Sequence, residues 1–225
     1  GTPRWCATAS STPVTEPIEA GPVAATPLPL FPLRTVLFPG GLLMLKVFEA
    51  RYLDLVTRCL RSGQGFGVIC LSQGREVGRN DTPVRFEPVG VHARIDEVDG
   101  EQAGILSVRC LGQERFRLEG EPHQQPDGLW CASVSEVQAD VHRVPAPAMF
   151  DTVKALSNAI ATLRERGQLP FVEPFRLDDA GWVANRWCEL LPIPLSAKQK
   201  LMALEDPMVR LSLVDGYLRD KQVVR

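Results

Sequence analysis

The chain is short of almost everything that announces an enzyme. Among 225 residues there is no G-x-x-x-x-G-K-[ST], and none of the five lysines (Lys46, Lys154, Lys198, Lys200, Lys221) follows a glycine. A P-loop needs that lysine beside phosphate-cradling backbone amides, so P-loop ATP chemistry is excluded. G-x-G-x-x-G is also missing; Gly63-Gln64-Gly65-Phe66-Gly67 comes nearest, but it enters an apolar run instead of leaving one. G-x-S-x-G and H-E-x-x-H do not occur. The six cysteines lie 53, 11, 40, 21 and 57 residues apart, with no C-x-x-C. His92, His123 and His142 lack partners at metal-ligand spacing. Cys59, Cys70 and Cys188 sit within apolar patterns, as buried thiols do. No stretch reaches the roughly 18–20 apolar residues of a membrane span, and residues 1–5 lack the pattern of a signal peptide. A cytoplasmic protein without metal or cofactor is expected.

Charge is equally uninformative. Lys+Arg total 25 and Asp+Glu 27, a net charge of −2, which offers no electrostatic reason to expect nucleic acid or an anionic membrane. Arg115 and Arg117 flank Phe116 as a basic pair would on a single-strand-binding face, but Glu114 and Glu119 are expected to neutralise them. Ser196 and Lys198 supply the residue types of a Ser–Lys dyad, yet two positions apart on a helix they diverge. Asp178-Asp179 and Glu205-Asp206 fall where first-turn carboxylates suit a helix dipole.

The texture changes along the chain. Residues 1–27 are rich in Pro, Ala, Ser and Thr and read as a flexible leader. Each Pro of Leu28-Pro29-Leu30-Phe31-Pro32-Leu33 pushes its predecessor toward extended backbone. Phe38-Pro39-Gly40-Gly41 reads as a turn and Leu42–Val47 as a short buried strand. Phe48, Tyr52, Leu55, Val56, Cys59 and Leu60 recur at helical spacing, stopped at Gly63. A strand over Phe66–Leu71 follows, then a loop over 72–83. Alternation at Val89, Val91, Ala93 and Ile95 predicts a half-buried strand, ended by the hairpin signal Asp99-Gly100 with allowance for a few extra loop residues. Further strands run through Leu106–Cys110, Phe116–Leu118 and Trp130–Val134, which together predict a small closed or folded-over β structure.

Beyond Pro145 and Pro147 the period is helical. Phe150, Val153, Leu156, Ile160 and Leu163 form one apolar stripe. Trp182, Val183, Trp187, Leu190 and Leu191 form another. Ser196 with Gln199 fits a capping box. Val209, Leu213, Val214 and Tyr217 or Leu218 form the last face. The expected class is α+β: a leader (1–27), a β subdomain with one inserted helix (28–144) and a helical bundle (145–225).

Three stretches in order resemble one family. They are Leu30-Phe31-Pro32-Leu33-Arg34-Thr35-Val36-Leu37-Phe38-Pro39-Gly40 with Leu45–Tyr52; Val89–Ile95 with Gly112–Leu118; and Ala184-Asn185-Arg186-Trp187-Cys188-Glu189-Leu190-Leu191-Pro192-Ile193-Pro194 with Lys198–Met202. Together the chain resembles the Lon protease amino-terminal domain. The resemblance implies a PUA-like β pseudo-barrel followed by a helical bundle, and a partner that is an unfolded or damaged polypeptide or another protein. It does not bring Lon's ATPase or peptidase motifs, so a non-catalytic module is expected; self-association is left open. The candidate binding residues are Arg34, Arg51 and Tyr52 at a groove edge, since Tyr and Arg are common interface anchors, and Asn185 at the junction of the two halves. Two alternatives remain: a small-molecule or enzymatic role in the inter-subdomain cleft, and RNA binding through the PUA-like half.

Overall fold

The structure, a computed structural model, describes residues 27–76 and 83–225; the expected leader lies outside the described residues, Pro27 excepted. It is α+β, as expected. The strands are β1 (Leu28–Leu33), β2 (Leu42–Val47), β3 (Phe66–Gln73), β4 (Arg85–Phe86), β5 (Val89–Gln102), β6 (Ile105–Gln124) and β7 (Trp130–Glu136). The helices are α1 (Ala50–Ser62), α2 (Phe150–Glu165), α3 (Ala180–Leu190), α4 (Leu195–Ala203) and α5 (Pro207–Asp220), with a short 3-10 turn at Pro147–Met149.

Strand pairing closes a ring. β1 is antiparallel to β7, β7 to β6, β6 to β5 and β5 to β3, and β3 returns to β1 in parallel. Five strands therefore share their edges in a closed barrel, which removes the exposed edges that an open sheet leaves. Two strands hang outside the ring: β4 on β3, and β2 on the first half of β6, with Leu42 opposite Leu111 and Val47 opposite Leu106. Close backbone approach inside the barrel demands glycine at position 90. A Cβ there would lie under 3.0 Å from the Phe116 ring and the Val68 carbonyl oxygen.

One contiguous apolar core runs from the barrel into the helices, joining Leu45, Tyr52 and Phe66 to Leu156, Trp187 and Leu218. A smaller cluster gathers Leu30, Ile69, Phe116 and Ala132. Leu30, Ile69 and Ala132 each adjoin a residue of the larger core, Phe31, Val68 and Cys131, and so lie on the other face of their strands. Trp182 and Trp187 are core residues, as the stripe on α3 predicts.

Several local expectations need correction. The hairpin joining β5 and β6 turns at 103–104, where Gly104 has φ +80°. Asp99 and Gly100 stay in β5, opposite Ser107 and Leu106. The two strands expected at 106–110 and 116–118 are one long β6. On α1 the buried face is Tyr52, Leu55, Val56 and Cys59, whereas Phe48 precedes the helix and Leu60 is exposed. Leu60 follows Cys59 by one residue and so turns about 100° away from the face.

Phe150 is exposed on α2, where Thr152 is buried instead and donates its hydroxyl to Asp215 at 2.6 Å. Ser196 does not cap α4; Pro194 precedes the helix and the Gln199 amide reaches the Val89 carbonyl at 2.9 Å. In the acidic pairs the second residue is the N-cap itself. Asp179 accepts from the Gly181 amide, and Asp206 from those of Met208 and Val209.

On α5 the buried face is Arg210, Leu211, Val214 and Leu218, with Val209 and Leu213 exposed. A buried arginine defeats hydrophobic periodicity because its position is set by partners, not by apolar transfer. The Arg210 guanidinium holds both oxygens of Asp140, at 2.6 and 3.3 Å, and the carbonyls of Leu201 and Leu204. Arg115 of β6 reaches the same carboxylate at 2.8 Å and the carbonyls of Met202, Leu204 and Gln138. The carbonyls of Leu201, Met202 and Leu204 lie at the C-terminal end of α4, where the helix carries partial negative charge. Two cations, one carboxylate and a helix end thus fasten the barrel to the helices.

A groove between two strands and a helix start

The turn Phe38–Gly41 sets up the site. The Gly41 amide donates to the Phe38 carbonyl at 2.9 Å, with Pro39 in second place and Gly40 third at φ +73°; this is a type II turn, which needs glycine there. Arg186 of α3 grips the turn from below, donating to the Gly40 carbonyl at 2.6 Å, the Pro39 carbonyl at 3.0 Å and Glu189 at 2.8 Å. Burial lowers the Arg186 pKa, opposed by Glu189. Burial also pushes the Glu189 carboxyl up to about 7, against the pull of Arg186. The turn delivers the chain into β2, whose residues alternate: Leu45 and Val47 are buried, while Met44 and Lys46 face outward.

Between β1, β2 and the start of α1 lies a groove of about 280 Å³. Phe31, Leu33 and Thr35 form one wall, the run from Leu43 to Val47 another, and Phe48, Glu49 and Tyr52 close the end, with Glu76 at the rim. Tyr52 is only 3% exposed and stacks on Phe31 with ring centroids 4.1 Å apart. Desolvation pushes its phenol up to about 12, with Arg51 pulling the other way and Glu49 and Glu76 adding to the rise. Met44 and Phe48 stand at the mouth, 62% and 50% exposed. Two large apolar side chains are thus left in water beside the concavity floored by Phe31 and Tyr52.

The expected site residues divide. Tyr52 lines the groove floor. Arg51 sits behind it, with its guanidinium carbon 4.7 Å from the Tyr52 ring centre, bonded to Glu49 at 2.9 Å and to the Gly128 carbonyl at 2.9 Å. Arg34 is exposed next to the wall residues Leu33 and Thr35. Its backbone amide donates to the Glu76 carboxylate and its guanidinium to the Gly74 carbonyl at 3.3 Å. Of the four, Tyr52 lines the groove, and Arg34 and Arg51 are chain neighbours of its lining residues. Asn185 does not join them. It is 4% exposed, with its carbonyl oxygen unpartnered, on the wall of a separate cleft of about 380 Å³ between barrel and helices, which Asp140, Arg176 and Trp182 also line.

Sequence reasoning missed the two residues at the mouth. Helical spacing puts Phe48 on the helix face and a short buried strand takes in Met44; period-2 alternation through Leu43–Val47 carries the signal that Met44 faces out. The basic pair on β6 also reads differently. Arg115 is neutralised by Asp140, not Glu114, and Arg117 pairs with Glu205 at 3.3 Å, not Glu119. A third trough, about 610 Å³ beside the C-terminal end of α1, is lined by apolar residues, Leu28, Pro29 and Leu55 among them, and by the polar Arg58, Gln64, Arg94 and Gln113. No large exposed apolar residue of the kind found at 44 and 48 lines it. Among the described residues, no group of three or more His, Cys, Asp or Glu is placed to hold a metal ion. No helix there is long and apolar enough to cross a membrane.

Comparison with known proteins places these features in a family. Residues 27–220 match the model of the ATP-dependent protease La (LON) substrate-binding domain. The crystal structure of a Lon N-terminal domain protein from Xanthomonas campestris is 32% identical, with a TM-score of 0.69 over 85% of this chain and 98% of that one. The N terminal domain of Mycobacterium avium complex Lon protease shares the fold, at a TM-score of 0.57 and 18% identity, over 87% of this chain and 99% of that one. Lon protease of Flavobacterium johnsoniae is 26% identical over 184 residues, 79% of this chain but 22% of the longer protein. The chain thus spans less than a quarter of the length of that curated relative.

Proposed function

Because the chain belongs to the Lon substrate-binding domain family, we propose that it is a non-catalytic polypeptide-binding module whose site is the groove between β1, β2 and α1. The observation that carries the reading is the pairing of a buried aromatic floor, Phe31 on Tyr52, with the exposed Met44 and Phe48 at the mouth. Apolar side chains exposed by an unfolded client would replace water against both. At about 280 Å³ the groove falls just below the ~300–1,000 Å³ of sites that enclose a whole small molecule. It suits individual side chains of a long chain passing over it. Methionine at the mouth adapts to varied partners, as promiscuous binding surfaces require.

In this proposal the β portion carries the recognition surface and the helical portion buttresses it. Arg186 fixes the turn that aims β2, and the Arg115–Asp140–Arg210 clamp holds the two portions together. The charged rim groups are already occupied, Glu49 by Arg51 and Glu76 by the Arg34 amide, so the groove favours neutral apolar segments over acidic or basic ones. The test measures affinity for a permanently unfolded client by fluorescence anisotropy. Met44→Asp with Phe48→Asp is expected to weaken binding at least about tenfold, from the loss of two buried apolar contacts. Leu60→Asp, a comparably exposed site away from the groove, is expected to leave it unchanged. Equal effects from both variants would refute the assignment.

A further inference from the structure

Resting on that polypeptide-binding reading, we propose that the groove takes its client by strand addition: an extended, uncharged segment pairs, backbone to backbone, with the open edge of β2. Three observations point there. First, the five-strand ring leaves β2 outside it, and β6 is the one strand paired with β2 among the described residues. Second, the ladder parity is fixed. The Gly112 amide donates to the Gly41 carbonyl at 2.8 Å, in line with the register that sets Leu43 opposite Cys110 and Leu45 opposite Val108. Antiparallel ladders alternate, so Leu43, Leu45 and Val47 direct their N–H and C=O groups toward β6. Leu42 and Met44, of the other parity, direct theirs away.

Third, the groove touches β2 along its edge and not across one face. A cavity lying on one face of a strand meets every second residue, because side chains alternate. The groove instead meets Leu43, Met44, Leu45, Lys46 and Val47 in succession. Its far wall is the opposite case: Phe31 and Leu33 are alternate residues of β1, one face of that strand, with Thr35 just past its end. A strand laid along β2 would therefore direct every second side chain onto Phe31, Leu33 and Tyr52, and the others toward Met44 and solvent. Backbone hydrogen bonds would give sequence-tolerant affinity and the apolar wall would give preference for apolar residues at alternate positions. A folded protein has few such segments with unsatisfied backbone; an unfolded client has many.

The experiment uses a soluble, end-capped, fluorophore-labelled peptide of alternating valine and serine, in three forms. One is unmodified; the others carry N-methyl groups on all valines or on all serines, which removes alternate N–H donors and leaves the side chains intact. Strand addition predicts that one N-methyl form loses affinity at least about tenfold while the other stays within about twofold of the parent, because only one set of amides faces β2. Equal behaviour of the two N-methyl forms overturns strand addition, while binding of the parent, lost in Met44→Asp with Phe48→Asp, still upholds the groove. Failure of the parent to bind, with a denatured client also unbound, overturns both.

Discussion

Removing the Asp140 carboxylate tests the fastening of barrel to helices. The carboxylate stands between two guanidiniums that are 2% and 1% exposed, at 2.8 Å from Arg115 and 2.6 Å from Arg210. Asp140→Ala strands two buried cations whose remaining partners are backbone carbonyls. Breaking a buried pair by deleting one member costs about 3–5 kcal/mol. Asp140 itself is 17% exposed and lines the junction cleft, so water relieves part of the penalty and the lower end, about 3 kcal/mol, applies. That is a large share of a typical ~5–15 kcal/mol stability. For a protein of this length it lowers Tm by roughly 6–12 °C. Urea denaturation followed by tryptophan fluorescence reads the loss directly, since Trp182 and Trp187 lie in the core that the clamp closes. Arg115 adds a direction: burial lowers its pKa against the pull of Asp140, so losing the carboxylate leaves desolvation unopposed by that partner. A loss under about 1 kcal/mol would show that the carbonyls of α4 and solvent suffice, and would refute the clamp.

Glu189 supplies a pH dependence. Its folded pKa, about 7, lies above the ordinary carboxylate value, so the folded state takes up the proton first as pH falls. This group adds stability on acidification from about pH 7 toward the ordinary carboxylate range, and loses it as pH rises back through 7. Denaturation midpoints of Glu189→Gln between pH 5 and 7.5 should lack that slope; an unchanged slope would contradict the assignment. Gly90→Ala should cost about 1–3 kcal/mol through overpacking against the Phe116 ring and the Val68 carbonyl. A thermal melt within 1 °C of the parent, on the order of a neutral surface change, would mean the barrel relaxes freely there.

What the sequence revealed follows from the forces involved. Apolar periodicity located α1, α3 and the strands because transfer of apolar side chains dominates their placement. On α5 it found Val214 and Leu218 but took Val209 and Leu213 for buried and missed Arg210, which is buried by ion pairing and by the carbonyls of α4, neither of which leaves a hydrophobic trace. The Asp99-Gly100 dipeptide is a strong local turn signal, yet β5 and β6 pair through it and turn at 103–104; long-range ladder bonds outweighed local preference. Of the candidates drawn from the family-like motif, Tyr52 lines the groove, while Arg34 and Arg51 stand next to its lining residues. Alternation along β2 marks Met44 as outward-facing, whereas Phe48, between β2 and α1, lies outside both periods.

The most direct test of the account is hydrogen exchange with and without a saturating unfolded client. Added protection is expected in β2, in the β1 segment through Thr35 and in the first turn of α1, with the outward amides of Leu42 and Met44 slowed most. Protection confined instead to the junction cleft around Asn185 or to the trough beside Arg58 and Arg94 would contradict it.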